Sequence, residues 1–280
     1  MEYEIDKIKK GFTHGGIFHA DDVFATALLK ILNPNIEIIR GNQIPENFDG
    51  IIYDIGGGEF DHHQKDKRIR ENGIPYAAFG LLWEKYGGEI LGREVAEKFD
   101  ADFVQPLDWS DNTGESNTLA SIIGDWNTTW KEKEKGSNEE FSKAVEFAKK
   151  ILKNRFRQIL AKQEACEIVS EEAKKCKNQI FCLKQGMPWK DAVKEFDIVY
   201  VIFESLRGGY CIQAAPKDGE NGSKLLKKPF PSQWCGCSQE ELQSMTGIKT
   251  FRFCHTSGFL CTADTLEDAK KIAELALKTK

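Results

Sequence analysis

The sequence predicts an α/β protein of two lobes: an N-terminal doubly wound, mainly parallel sheet domain, a helical connector, and a smaller C-terminal α/β lobe. Three observations predict it. Residues 1–110 alternate short β-rich runs with amphipathic stretches, the pattern of a parallel sheet wrapped by helices. Residues 138–177 are charged, lack Pro and Gly, and repeat apolar positions at helical spacing (Phe141, Val145, Ala148, Leu152, Phe156). A second alternation of strand and helix patterns follows. A length of 280 residues accommodates two domains at about 150 residues each, and the composition shifts place them at 1–137 and 179–280, joined by 138–178.

In order along the chain, KGFTH (10–14), IEIIR (36–40) and GIIYDI (50–55) are strand patterns, and residues 20–32 carry a helical repeat opened by acidic residues. Residues 74–86 and 93–99 supply further helices. Residues 101–108 (ADFVQPLD) are expected to form a strand or tight turn, residues 115–130 a helix, and the charged KEKEKGSNEE at 131–140 a solvated loop. Beyond the connector, QIFCL, DIVYVIFES, YCIQAAP, TFRFCH and GFLCT are strand patterns, with helices over 240–245 and 266–277. No repeat of 20–50 residues is visible.

Composition narrows the function classes. No apolar run approaches the ~20 residues that span a bilayer, which excludes a helical membrane span. The N-terminal segment lacks the apolar core of a secretory signal, so a cytoplasmic location is expected. Basic residues number 39 and acidic residues 44, a net charge of −5, so a polyanion must be met by a local patch and not by a broadly basic surface. All eight cysteines fall in the second half without C-x-x-C spacing, and they read as reduced, small apolar side chains.

Of five histidines, four crowd into two carboxylate-rich stretches: His14 and His19 in THGGIFHADD, His62 and His63 in FDHHQ. Three strand patterns end on ligand-type residues, at His14, Asp54 and Asp108, and open parallel sheets bind ligands beyond their carboxyl ends. Asp21 and Asp22 from the following helix, and Asp61, His62 and His63 from the loop after Asp54, reach the same rim. Taken alone, Asp21 and Asp22 read as helix-capping charges; together with the other groups they read as a site. Several carboxylates in one cleft cannot all stay ionised without compensation, which a divalent cation supplies. Imidazole and carboxylate without thiolate suit Mn²⁺, Fe²⁺, Co²⁺ or catalytic Zn²⁺, and the number of candidates suggests two ions. Two ions roughly 3.5–4 Å apart favour in-line hydroxide attack at phosphorus. The glycines Gly56, Gly57 and Gly58 lack G-x-G-x-x-G spacing and read as a turn that returns Asp61 and His62 to the rim.

The order THGGIFHADD, IIYDIGGG, FDHHQ and PLDWSDNTG resembles the DHH phosphoesterase superfamily, with Asp61, His62 and His63 at the motif that names it. It is more similar still to the melanocyte-proliferating-gene (MYG) family of metal-dependent hydrolases, which includes a 3′ to 5′ RNA exonuclease. KKPFPSQWCGCSQEEL and FCHTSGFL extend the likeness over nearly the whole chain. The resemblance implies two divalent ions, Mn²⁺ first, with Mg²⁺, Co²⁺, Fe²⁺ or Zn²⁺ as alternatives. It implies His14, His19 and Asp21 as ligands of one ion, Asp54 as the bridge, and His62 and Asp108 completing the pair. His63 would face the scissile phosphate, with Asp22, Asp61 and Asp111 orienting. In the second lobe the same likeness places His255 and Gly258 at a phosphate. Lys227, Lys228 and Trp234 read either as a backbone-tracking, base-stacking patch or as an ordinary loop. Two departures stand out: Cys235 where the family commonly has Arg, whose bidentate fork Cys cannot reproduce, and Cys261 and Thr262 in place of two glycines.

The expected function is therefore divalent-metal-dependent phosphodiester hydrolysis, in the manner of a 3′–5′ exonuclease on single-stranded RNA or short oligonucleotides. The alternatives are a nucleotide phosphatase or pyrophosphatase on the same centre, and a non-hydrolytic, metal-dependent nucleotide-binding module. No G-x-S-x-G elbow is present, which sets a serine hydrolase aside. Oligomeric state is left open.

Overall fold

A computed structural model describes residues 7–132, 137–217 and 225–279. The first six residues and part of the 131–140 loop lie outside the described residues. The chain divides into two compact units, Met1–Ile159 and Leu160–Lys280.

In the first unit β1 (Lys10–His14) is central, paired in parallel with β2 (Glu37–Gly41) and β3 (Ile51–Ile52), in the order β2-β1-β3. Chain order reverses across β1, so a crevice opens beyond the carboxyl ends of β1 and β3. Between β1 and β2 runs α1 (Ala20–Leu32), whose Val23, Phe24, Ala27, Leu28 and Leu29 are fully buried. A helix buried on nearly all sides is bound to carry its polar residues where they have partners, and Asp21 and Asp22 are both in its first turn.

Then come α2 (Ala78–Leu91), α3 (Arg93–Phe99), a π-helical turn (Asp100–Val104), α4 (Gln105–Thr113) and α5 (Thr118–Gly124). Here the sequence expectation for 101–108 is corrected: no strand forms. Phe103, Val104 and Leu107 are buried at helical spacing against Phe24, Phe79 and Phe99, and Pro106 sits in the first turn of α4, where its missing N–H costs nothing. The helix expected over 115–130 shortens to α5, started by Asn117, whose side chain accepts from Leu119 N and Ala120 N.

A single helix, α6 (Asn138–Ala173), carries the chain from the first unit into the second. Phe141, Ala144, Val145, Ala148, Leu152 and Phe156 pack into the first core. Val169 and Ala173 pack with Phe181, Leu183 and Trp189 in the second unit.

The second unit holds a five-stranded sheet, β4-β5-β6-β8-β7, from β4 (Ile180–Cys182), β5 (Tyr200–Glu204), β6 (Tyr210–Ala214), β7 (Phe251–Cys254) and β8 (Leu260–Ala263). Only β4 and β5 pair in parallel. Tyr200, Ile202, Ile212, Cys261 and Ala263 alternate into a core shared with Ile272, Ala273 and Ala276 of α8 (Leu266–Lys278). The short α7 (Gln239–Thr246) opens with Ser238 and Glu241 in a reciprocal cap. The cysteines form no disulfide. Among the described residues no helix is long and apolar enough to cross a membrane.

Candidate metal centre

The centre forms where the crevice opens. His14, the last residue of β1, points Nε2 at Asp22 Oδ2 (3.3 Å) and Asp54 Oδ2 (3.2 Å). Asp54 follows β3 with φ of 56°, in the left-handed region, and its N–H donates to Phe60 O (2.9 Å) as the chain doubles back. The turn is closed by Asp61, which accepts from Gly57 N (2.6 Å) and His63 N (3.0 Å); Gly57, at φ 72°, supplies the conformation the turn needs. This fold-back delivers His62, whose Nε2 lies 3.1 Å from Asp54 Oδ1, 3.3 Å from Asp111 Oδ2 and 3.8 Å from Asp21 Oδ2. His63 holds Nδ1 against Asp61 (2.9 Å), and its side chain is 63% exposed.

Three groups of side chains therefore bring ligand atoms within 4.8 Å of one another: His14, Asp22 and Asp54; Asp54, His62 and His63; Asp21, His62 and Asp111. Asp54 and His62 are shared between groups.

Two residues expected as ligands fall outside these three groups. Asp108 arrives from α4 and not from a strand end. One oxygen accepts from Gly80 N (3.2 Å) and the other lies 2.8 Å from the Arg70 guanidinium, which also holds Asp100 and stacks on Tyr76 at 3.8 Å. Asp108 thus satisfies an orphan donor of α2's first turn, and Asp111, one helical turn on, faces His62 instead. His19 is exposed at the start of α1, its backbone N–H donating to Asp22 Oδ1 (2.8 Å) and its ring 6.0 Å from that of His14. Asp21 does both jobs: it caps α2 through Ala78 N (2.9 Å) and Phe79 N (2.7 Å) while facing His62. Arg70, Gly80 and Asn112 support the centre and are not singled out by the sequence reading; Asn112 falls within PLDWSDNTG, and no local pattern marks Arg70 or Gly80.

The electrostatics are those of carboxylates and imidazoles buried against one another. Burial pushes the Asp22 carboxyl up to about 7, with His14 opposing and Asp54 adding to it. Burial, with the charges of Asp54, Asp111 and Asp108, raises Asp21 well above the ordinary range, and burial raises Asp111. Burial disfavours ionisation of Asp54 as well, but hydrogen bonds from His14 and His62 outweigh it and hold that carboxyl at about 2. Burial works against a charged His14, yet Asp54 and Asp22 together raise it to about 9. A divalent cation is one way to balance carboxylates held this close together. Asp22 Oδ2 is buried and, among the described residues, has only the ion-pair contact with His14, with no hydrogen bond, and the ligand atoms are all carboxylate oxygen or imidazole nitrogen, a set that fits hard to borderline divalent cations.

The second-unit candidates divide as well. Trp234 is 2% exposed, packed between Phe230 and Phe251, so its ring is not available to stack a base. Lys227 Nζ is consumed by the carbonyls of Val193, Lys194 and Phe196, and Lys228 Nζ by Leu277 O (2.7 Å). The basic-aromatic patch is therefore an internal tether. His255 accepts from Ser257 N through Nδ1 (3.1 Å), with its ring against Phe259. Gly258, at φ 65°, turns the β7–β8 hairpin against Phe230. On the same unit an open groove of about 1250 Å³ is lined by Phe203, Phe253, Leu206, Lys184, Arg207 and Arg252 among others.

A family model, MYG1_exonuc, described as an uncharacterised protein family (UPF0160), matches residues 10–277, from the first residue of β1 almost to the end of α8. The chain belongs to that family. Among its relatives are the MYG1 protein of Dictyostelium discoideum, 26% identical over 93% of this chain and 94% of that protein, and the MYG1 exonuclease of Rattus norvegicus, 25% identical over 95% of this chain and 84% of that protein. The MYG1 protein C694.04c of Schizosaccharomyces pombe is 27% identical over 98% of both chains. No solved structure matches the chain.

Proposed function

We propose that this MYG1-family chain is a divalent-metal-dependent phosphodiester hydrolase that shortens single-stranded RNA or oligonucleotides from the 3′ end. The observation that carries the reading is the sharing of Asp54 and His62 among three convergent ligand groups at the sheet's switch point. The exonuclease name carried by mammalian relatives agrees with it. His14, Asp22 and Asp54 would hold one ion; Asp54, His62, Asp21 and Asp111 would hold the second. Bound there, divalent cations neutralise the carboxylates and stabilise charge on phosphoryl oxygens.

The chain's own groups complete the chemistry. Asp61 fixes His63 through Nδ1, leaving Nε2 at the exposed mouth as a hydrogen-bond donor to a phosphoryl oxygen when the ring is protonated. Asp54, ionised far below neutral pH, keeps His14 and His62 oriented toward a common point. On the second unit, the groove with Phe203, Phe253, Arg207 and Arg252 has the aromatic faces and cations that suit single-stranded nucleic acid. A smaller pocket of about 370 Å³, lined by Gly57, Gly58, Asp61, His62, Gln64 and Arg68 among others, favours a second reading, hydrolysis of single nucleotides. Mn²⁺-dependent, stepwise shortening of a 5′-labelled RNA, with the label retained on the shortened strand, tests the proposal. Turnover of nucleotides alone would select the second reading, and absence of turnover on both would reject hydrolysis.

A further inference from the structure

A phosphate backbone that enters this crevice meets an acidic centre in a chain of net charge −5, so the cations it needs must be supplied locally. The loop after the Asp61–His62–His63 turn, residues 64–70 (QKDKRIR), holds four of them, Lys65, Lys67, Arg68 and Arg70, against one acid, Asp66. Two are already neutralised. Arg70 is buried against Asp100 and Asp108, and Arg68 Nη2 lies 2.6 Å from Glu84 Oε2. Lys67 differs. It is exposed, and its partner among the described residues is a neutral oxygen, Asn112 Oδ1, at 3.0 Å.

That oxygen is a fixed seat. Asn112 Nδ2 donates to Tyr76 O (3.1 Å) and Asp108 O (3.0 Å), which sets the orientation of the amide, because a flip would turn its oxygen against two carbonyls. The same Oδ1 lies 3.4 Å from His62 Nδ1, so the ammonium is held beside the centre. A carboxylate partner would cancel its charge; an amide oxygen leaves the charge intact. An ammonium has three donors and Asn112 takes one, which leaves others for an anion. An exposed lysine ordinarily gives up side-chain freedom when it captures a ligand, and here part of that ordering is built in. We propose that Lys67 binds the non-bridging oxygens of the phosphodiester on the 5′ side of the one at the metal centre, and so favours strands over single nucleotides. The inference rests on the hydrolase reading of the centre and adds a length requirement to it. A dinucleotide without a 5′-phosphate has only the scissile phosphodiester; a trinucleotide also has the neighbour that Lys67 contacts.

The test uses the full chain with Mn²⁺. Hydrolysis is measured on a dinucleotide and a trinucleotide without 5′-phosphates, and binding on a fluorescent oligonucleotide with hydrolysis-resistant phosphorothioate linkages across a salt series. The wild type should favour the trinucleotide in kcat/KM. Lys67→Ala should cut that preference roughly 10-fold, through KM, as loss of one charge-assisted hydrogen bond requires. It should also lower the slope of log affinity against log salt by about 0.7, the share of one phosphate contact on a single strand. Lys67→Arg should restore both. Lys30→Ala, the same loss of charge in the last turn of α1, should change neither. If Lys67 merely braces Asn112, Lys67→Ala melts earlier or binds Mn²⁺ more weakly while length preference and salt slope stay at wild-type values, which overturns the proposal. A wild type that is indifferent to length, or that binds no oligonucleotide, overturns it equally. Absence of hydrolysis in a wild type that binds both Mn²⁺ and the oligonucleotide would remove the hydrolase reading, while the salt slope would still decide whether Lys67 holds a phosphate.

Discussion

Asp54→Asn is the most informative single change at the centre. The substitution is nearly isosteric, and Asn tolerates the left-handed φ of 56° at this position, so the fold-back to Phe60 should survive. What it removes is a charge shared by two imidazoles, 3.2 Å from His14 and 3.1 Å from His62. Against the penalty of burial, Asp54 and then Asp22 raise His14 from 6.5 to about 9, a difference worth ~3 kcal/mol between its two protonation states. With Asp54 the first of the raising groups, His14 should titrate lower in Asp54→Asn by at least about one pH unit. His62 should shift in the same direction. Mn²⁺ affinity should fall by more than the ~10- to 100-fold typical of an indirect partner, because a shared ligand is lost. Histidine NMR titration of metal-free protein and calorimetry read these two effects separately. The reasoning is refuted if His14 still titrates near 9, since Asp22 alone would then account for it, or if Mn²⁺ binding and hydrolysis are unaltered.

Three further expectations bear on other parts of the structure. Asp22 and Asp108, both raised to about 7 by burial, bind their protons more tightly folded than unfolded. Their stabilising contribution is thus complete below the unfolded value of 3.8 and lost as pH rises through about 7; that of His14 is complete below 6.5 and lost through about 9. Metal-free protein should melt progressively earlier from about pH 5 to 9, and Mn²⁺ at ~100 times its Kd should restore about 2.7 kcal/mol at the alkaline end; a flat profile without metal contradicts the assignment. Gly80→Ala would drive a methyl into Asp108 Oδ2 and the Arg70 guanidinium, costing ~1–3 kcal/mol in chemical denaturation, and an unchanged midpoint would show that this contact can relax. Phe253→Ala should weaken binding of a labelled oligonucleotide by ~1–3 kcal/mol without touching Mn²⁺ affinity, and Arg207→Ala should flatten its salt dependence; equal binding by both variants and wild type would take the groove out of substrate recognition.

How much of this was legible in the sequence depends on whether a residue's role is set by its own segment. His14 and Asp54 end runs whose strand pattern is unambiguous, and the rule that ligands gather beyond parallel strands carried them to one place. Asp108 ends a run that satisfies two patterns at once. Ala-Asp-Phe-Val-Gln-Pro-Leu-Asp has the β-branched and aromatic content of a strand, yet Phe103, Val104 and Leu107 also make one helical face, and only the aromatic core of Phe24, Phe79 and Phe99 chooses between them. Once the segment is helical, the residue presented to His62 shifts by one turn, from Asp108 to Asp111. Lys227 and Trp234 stayed open between two readings for a related reason. A basic pair near an aromatic has the same composition whether it meets solvent or backbone, and here the carbonyls ending at Phe196 claim the ammonium.

Asp54 shows why the strained position sits where it does. A glycine would adopt its φ at no steric cost, but the fold-back is needed to return His62, and the same residue must reach both His62 and His14. Only a short side chain ending in two acceptors does this, one oxygen to each imidazole. Aspartate is also among the few residues other than glycine that enter the left-handed region readily. The backbone strain and the shared carboxylate are therefore one feature: the turn that costs conformational energy is what lets two histidines, 48 residues apart in sequence (62 − 14), meet across a single side chain.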